Sequence, residues 1–149
     1  MASRQPILLV DDSADDRDLC VRSLKKAGVQ NEVVEAVDGV EALDYLAGTG
    51  RWEGRDVREL PAVVLLDLQM PRMDGLEVLG RIRSGPRTKQ LPVVILTSSR
   101  EESDVTRGYD LGANSYVQKP VEFPEFAAAV SHLGVFWILF NVPPPAKEQ

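Results

Sequence analysis

Residues 62–75 read AVVLLDLQMPRMDG, a continuous apolar run that ends at Asp67 and is followed by a turn. All four residues at 63–66 are apolar, so both faces of the predicted strand are apolar, which is typical of a central strand in a parallel sheet covered on both faces. Asp74, followed three residues later by Glu77, has the spacing of a helix N-terminus, and the pairs Ser13 with Asp16 and Asp38 with Glu41 repeat it. This stretch therefore predicts a buried strand that ends at a carboxylate and leads into a helix.

Other segments repeat this alternation of a short apolar strand with a helix. The predicted strands are 7–10, 32–37, 63–66, 93–96 and 115–118, and helices follow at 14–27, 38–46, after Asp74, at 99–111 and from Pro124. Parallel neighbours need crossover helices, so the pattern predicts an open, doubly wound α/β fold with a parallel sheet. Residues 48–60 are long and charged for a connection of this kind, and we expect a solvated surface loop there rather than a recognition element.

The composition narrows the class of protein. The chain has 149 residues, a net charge of −6 and one cysteine, Cys20, which lies at the helical spacing of a core residue. This is a one-domain length, and the negative charge disfavours nucleic acid as a partner. A single cysteine excludes an internal disulfide and fits a reducing compartment. Because we find neither a membrane-spanning run nor a signal peptide, we expect a cytoplasmic protein with no membrane partner.

Polar side chains follow the ends of the predicted strands, where open parallel sheets bind their ligands. They are Asp11 and Asp12 after the first strand, Asp67 after the third, Thr97 after the fourth and Lys119 after the fifth. Carboxylates brought together repel one another unless a cation is present, and oxygen ligands favour Mg²⁺ or Mn²⁺. An ammonium and a hydroxyl suit the oxygens of a phosphoryl group, and an aspartate can act as its nucleophile.

These residues resemble the receiver domains of two-component response regulators, and the resemblance spans residues 6–133. It implies a (βα)5, flavodoxin-like sheet with the strand order 2-1-3-4-5. We expect a receiver domain over residues 1–142, which includes an extension of the last helix, and a loosely ordered tail at 143–149.

The resemblance also implies roles for the residues around the phosphorylation site. Asp67 would accept a phosphoryl group from a histidine kinase, and the side chains of Thr97 and Lys119 would bind that group. Thr97 and Tyr116 would form the switch that responds to phosphorylation, and the peptide bond that precedes Pro120 would be cis. Phosphorylation would draw Thr97 inward and let Tyr116 turn toward the interior.

A metal site is implied by the same resemblance. Asp12 and Asp67 would bind Mg²⁺ together with the backbone carbonyl of Gln69, and Asp11 would contribute through water. Mn²⁺ is an alternative ion for this set of oxygen ligands.

Within that family, the chain most resembles the single-domain regulators that serve bacterial phytochromes. The 48–60 loop and the ending LGVFWILFNVPPP at 133–145 carry this narrower resemblance, which implies a phytochrome-type kinase as partner. The signal would pass to an unidentified protein by contact or by phosphorelay.

The ending also predicts how the chain assembles. Its apolar side chains point in more directions than one helix face, so it either covers its own sheet or forms a two-fold homodimer. We favour the homodimer, with an interface that contains Phe136, Trp137, Ile138 and Phe140.

Two other functions use similar residues. A phosphohydrolase of the haloacid-dehalogenase type needs an acid two residues after its nucleophile, where this chain has Gln69, and it needs a cap domain. A binding module that does not use phosphate would be expected to lack one of the site residues, and all are present. We therefore expect a signalling protein whose only reactions are phosphorylation of itself from a phosphodonor and loss of that phosphate.

Overall fold

Five short strands form one parallel sheet in the computed structural model, which describes residues 5–97, 109–113, 115–119 and 124. The strands are β1 (Ile7–Val10), β2 (Val33–Ala36), β3 (Val63–Leu66), β4 (Val93–Thr97) and β5 (Ser115–Gln118). Their order across the sheet is β2-β1-β3-β4-β5, and neighbouring strands pair in parallel. The predicted doubly wound sheet and its strand order are confirmed.

Helices α1 (Ala14–Lys26), α2 (Gly39–Ala47) and α3 (Gly75–Ser84) begin where the capping residues predict. Ser13, Asp38 and Asp74 each accept a hydrogen bond from the backbone N–H three residues later, which satisfies a donor that the helix itself leaves free. Most of the fourth and fifth predicted helices fall on residues outside the described part of the chain. Over the residues that are described, no helix has the length and apolar character needed to span a membrane.

The sheet is buried on both of its faces. Alternate residues of β1 and β3 contact Cys20 and Leu24 of α1 on one side, and Leu79 and Ile82 of α3 on the other. Burial, reinforced by the charge of Asp11, raises the pKa of the Cys20 thiol to about 12. Cys20 is therefore a core residue, as its spacing predicts, and not a reactive thiol.

The connection between α2 and β3 lies at the surface, but it is more firmly anchored than its sequence suggests. Its residues include a short 3₁₀ helix, Gly50–Trp52. The Arg55 guanidinium lies 4.0 Å from the centre of the Tyr45 ring and donates to the backbone carbonyls of Tyr45, Asp56 and Glu59. The many charged residues of this connection predict that it is solvated. An arginine has five N–H donors, however, so it can also bind several backbone carbonyls at once.

Arg55→Ala should destabilise the protein by about 1.5–3 kcal/mol, because it removes several hydrogen bonds and the contact with the Tyr45 ring. Arg58→Ala is the matched control, since Arg58 is exposed and its ion pair with Asp56 lies at the surface. Its effect should stay within about 0.5 kcal/mol. Urea unfolding followed by circular dichroism measures both values, and equal losses would contradict the anchoring role.

Candidate functional site

Three carboxylates meet at the edge of the sheet where the strands end. Val10 of β1 lies opposite Leu66 of β3, so Asp11 and Asp67, the residues that follow, are neighbours. Oxygens of Asp11, Asp12 and Asp67 all lie within 4.8 Å of one another. Asp11 and Asp67 are buried, whereas Asp12 is exposed. The structure thus brings together the three acidic residues that the sequence singles out.

Lys119 follows β5 and places its ammonium among these carboxylates. Its Nζ lies 2.5 Å from Asp11 Oδ2, 3.0 Å from Asp16 Oδ2 and 3.4 Å from Asp67 Oδ2. Burial lowers the pKa of Lys119, but the hydrogen bonds to Asp11 and Asp16 and the charge of Asp67 outweigh it, and the net shift is upward. Lys119 is therefore charged at neutral pH.

The Asp67 carboxyl lies in an environment that opposes its ionisation. Burial is the main reason why its pKa is raised, the charge of Asp11 adds to the shift, and the Lys119 ammonium counteracts it in part. A bound divalent cation would favour the ionised form.

The two carboxylates after β1 are held differently. Asp11 Oδ1 accepts a hydrogen bond of 2.9 Å from the Ser13 backbone N–H, and Asp11 Oδ2 accepts one from Lys119. Asp12 lines an open cleft of about 490 Å³ together with Gln69, Pro71 and their neighbours. Asp11 is thus occupied by protein donors, while Asp12 is accessible to a ligand from the cleft.

The donor set at this edge fits a hard divalent cation. The three carboxylates carry more negative charge than the single ammonium of Lys119 balances. Their oxygens also lie close enough to bind one ion together. Oxygen ligands of this kind suit Mg²⁺ or Mn²⁺ rather than zinc.

The loop between β3 and α3 is fixed close to Asp67. A Cβ on Gly75 would lie 2.1 Å from the Asp67 carbonyl oxygen, so only glycine allows the helix to start this near the strand. The Gly75 N–H donates to the Leu68 carbonyl. Arg72, which has a φ of 68°, forms an ion pair with Asp38 at the start of α2. The loop is thereby attached to both β3 and α2.

Asp16, which its sequence spacing predicts only as part of the helix cap, is also a member of the site. Its backbone N–H donates to Ser13 Oγ as predicted, but its carboxylate binds Lys119 instead of closing the cap. Asp16 lies in the first turn of α1, which begins just after Asp12, and this nearness in sequence is the signal that could have placed it at the same edge.

The remaining predicted residues are described only in part. The backbone of Thr97 ends β4 opposite Gln118, but its side chain is outside the described atoms. Tyr116 is half-buried in β5 and packs against the cluster on the α2 and α3 side of the sheet. Pro120 and the predicted dimer residues, which are Phe136, Trp137, Ile138 and Phe140, lie outside the described residues.

A five-stranded doubly wound sheet with an acidic pocket and a lysine at its carboxyl edge defines an open α/β domain of the kind that binds ligands at that edge. The chain belongs to the response regulator receiver domain family, whose model matches residues 7–131. Receiver domains act with histidine kinases in signalling and are not conventional enzymes. The predicted family is confirmed, and the phosphohydrolase alternative is disfavoured.

Several known proteins are similar to this chain. A solved structure of the bacteriophytochrome response regulator AtBRR is 51% identical, with a TM-score of 0.85, and covers 95% of this chain and 100% of its own. The probable methanogenesis regulatory protein FilR2 of Methanothrix harundinacea is 37% identical over 93% of this chain and 86% of its own length. Response regulator Rcp1 of Synechocystis is 36% identical over 89% of this chain and 88% of its own. The predicted relation to phytochrome response regulators is thus confirmed.

One of these relatives has been solved with a metal. A structure of the Mn²⁺-bound form of Rcp1 is 37% identical, has a TM-score of 0.73, and covers 95% of this chain and 99% of its own.

Asp67→Asn should stabilise the metal-free protein at neutral pH. Because burial raises the pKa of the Asp67 carboxyl above 3.8, the folded protein binds this proton more tightly than the unfolded chain does. Stability is therefore lost as the pH rises from the unfolded pKa through the folded one, and the amide avoids this loss.

Calorimetry in EDTA between about pH 4 and pH 8 tests this expectation. The advantage of Asp67→Asn over wild type should grow with pH, and Asp15→Asn, at an exposed position, controls for the loss of one negative charge. An advantage that is constant with pH, or absent, would contradict the buried ionisation.

Proposed function

We propose that a histidine kinase of the phytochrome type phosphorylates this chain on Asp67, with Mg²⁺ bound beside it, and that the phosphorylated chain signals by protein contact or phosphorelay. The supporting observation is that a buried carboxylate, an accessible carboxylate and a charged ammonium occupy one edge of the sheet. The similarity to bacteriophytochrome response regulators supports the class of kinase.

The chemical step needs a nucleophile, charge neutralisation and a leaving group. An Asp67 oxygen attacks the phosphorus of the phosphohistidine, the P–N bond breaks, and the imidazole leaves with the bonding electrons and takes up a proton. The product is an acyl phosphate on Asp67. The Lys119 ammonium, 3.4 Å from Asp67, is close enough to stabilise the negative charge on the transferred group.

The metal ligands of this proposal are Asp12, Asp67 and the backbone carbonyl of Gln69, and Asp11 acts through water. The exposure of Asp12 to the cleft supports a direct contact, whereas both oxygens of Asp11 already accept protein hydrogen bonds. A bound divalent cation would neutralise charge between the carboxylates and the phosphoryl oxygens. The Mn²⁺-bound form of Rcp1 supports the choice of a divalent ion.

The response to phosphorylation stays a proposal from the sequence. Thr97 and Lys119 would bind the phosphoryl oxygens, and Tyr116 would turn inward as Thr97 moves. The half-buried position of Tyr116 in β5 is compatible with two side-chain positions. Three further proposals rest on the sequence alone. They are the cis peptide at Pro120, the domain limits at residues 142 and 143, and the homodimer through Phe136, Trp137, Ile138 and Phe140.

Incubation with acetyl phosphate and Mg²⁺, followed by intact mass spectrometry, tests the phosphoacceptor. Wild type and Asp15→Asn should each gain one base-labile phosphate, and Asp67→Asn should gain none, since an amide is not the required nucleophile. The same adduct on Asp67→Asn would show that the acceptor is misassigned. Sustained hydrolysis of varied phosphate esters would instead favour a phosphohydrolase.

Mg²⁺ titration distinguishes the two carboxylates that follow β1. Asp12→Asn should weaken Mg²⁺ binding by at least about tenfold, because it removes a direct ligand. Asp11→Asn should weaken it less, since Asp11 is assigned a contact through water. Calorimetric titration at constant pH measures both affinities, and an equal loss would refute the division of roles.

A further inference from the structure

We propose that Asp16 is a positioning residue that competes with the phosphoryl group for the Lys119 ammonium, and so slows phosphorylation of Asp67. This inference rests on the proposed phosphorylation of Asp67 and goes beyond it by assigning a role to a carboxylate on α1. The feature that carries it is the unequal distribution of Lys119 among its acidic partners.

The Lys119 ammonium lies closer to Asp11 and Asp16 than to the proposed phosphoacceptor. Its Nζ lies 2.5 Å from Asp11 Oδ2 and 3.0 Å from Asp16 Oδ2, whereas Asp67 Oδ2 is 3.4 Å away. An incoming phosphoryl group on Asp67 brings about two negative charges and several strong acceptors. An ammonium has three donors, and Asp11 and Asp16 use two of them, so Lys119 can turn more than one donor toward the phosphoryl group only if one of these hydrogen bonds lengthens.

Asp16 is the partner that is released at lower cost. Its side chain is 43% exposed, while that of Asp11 is 3% exposed. A partly exposed carboxylate regains water when it loses an ammonium, whereas a buried one is left without compensation. The Asp11 side chain is also tied to the Ser13 N–H. The free energy needed to free Lys119 for the phosphoryl oxygens is therefore that of breaking its contact with Asp16.

The backbone of Asp16 keeps this carboxylate in place. Its N–H donates to Ser13 Oγ, the N-terminal cap of α1, and the following residue, Arg17, donates from its guanidinium to the Asp11 carbonyl. The first turn of α1 is thus fixed against the end of β1. Asp16 reaches Lys119 from a rigid position and not from a mobile surface loop.

Asp16→Asn removes the charge with little change in shape, and it should speed phosphorylation by acetyl phosphate about two- to fivefold at saturating Mg²⁺. The same variant should bind beryllium trifluoride, a mimic of the phosphoryl group, more tightly by a similar factor. Asp16→Ala should act in the same direction. Asp16→Glu, which retains the charge, should return the rate toward that of wild type.

Asp15→Asn is the matched control, because Asp15 is exposed in the same first turn of α1. Like Asp16→Asn, it removes one negative charge from the chain and from the N-terminal turn of the helix. Its phosphorylation rate should stay within about 1.5-fold of wild type. Circular dichroism of each variant checks that α1 is still folded.

The outcomes separate the inference from the function on which it rests. The competition is supported if Asp16→Asn is phosphorylated faster than wild type, Asp15→Asn at the wild-type rate, and Asp16→Glu more slowly than Asp16→Asn. If wild type is phosphorylated and Asp16→Asn is equal to Asp15→Asn or slower, the competition is refuted and the proposed function stands. If wild type acquires no phosphate on Asp67, both are refuted.

Discussion

The Lys119 ammonium is the group on which the carboxyl edge of the sheet depends. It is the only described cation with distances to Asp11, Asp16 and Asp67 that qualify as ion pairs. Two of these carboxylates are buried, and a buried carboxylate without a nearby positive charge is strongly disfavoured. Lys119 also connects β5 with α1 and β1, which are more than 100 residues away along the chain. The same contact that balances charge thus joins the two ends of the described fold.

The site combines fixed and accessible acidic groups. Asp11 is held by protein donors on both oxygens, whereas Asp12 lines an open cleft. On the other side, Gly75 lets the β3–α3 loop lie against the Asp67 carbonyl, and the pair of Arg72 with Asp38 attaches that loop to α2. The side chains of the site are therefore attached to a backbone whose conformation is held by these contacts. Such preorganisation is what a charged reaction needs, because protein groups need not reorganise as charge moves.

Local sequence patterns predicted most of the fold, because each pattern reflects a nearby physical requirement. The apolar run of β3 and the caps at Ser13, Asp38 and Asp74 involve residues a few positions apart, and the structure has them where expected. The convergence of the acidic residues followed from strand ends sharing one edge. The second role of Asp16 was missed, because a capping pattern accounts for its backbone and leaves the direction of its carboxylate undecided. The anchoring by Arg55 depends on carbonyls whose positions only the folded chain defines.

The 48–60 connection and the carboxyl edge of the sheet are held by different kinds of acceptor. Arg55 and Arg87 donate to backbone carbonyls, including those of Tyr45, Leu46 and Val57. A carbonyl oxygen does not take up a proton in mild acid, and its hydrogen bond is weakened less by added salt than a surface pairing of opposite charges. Acidification that protonates the buried Asp67 carboxylate, whose pKa is raised, should therefore change the charge beside Lys119 while this connection keeps its shape, which makes it a constant surface beside a responsive one.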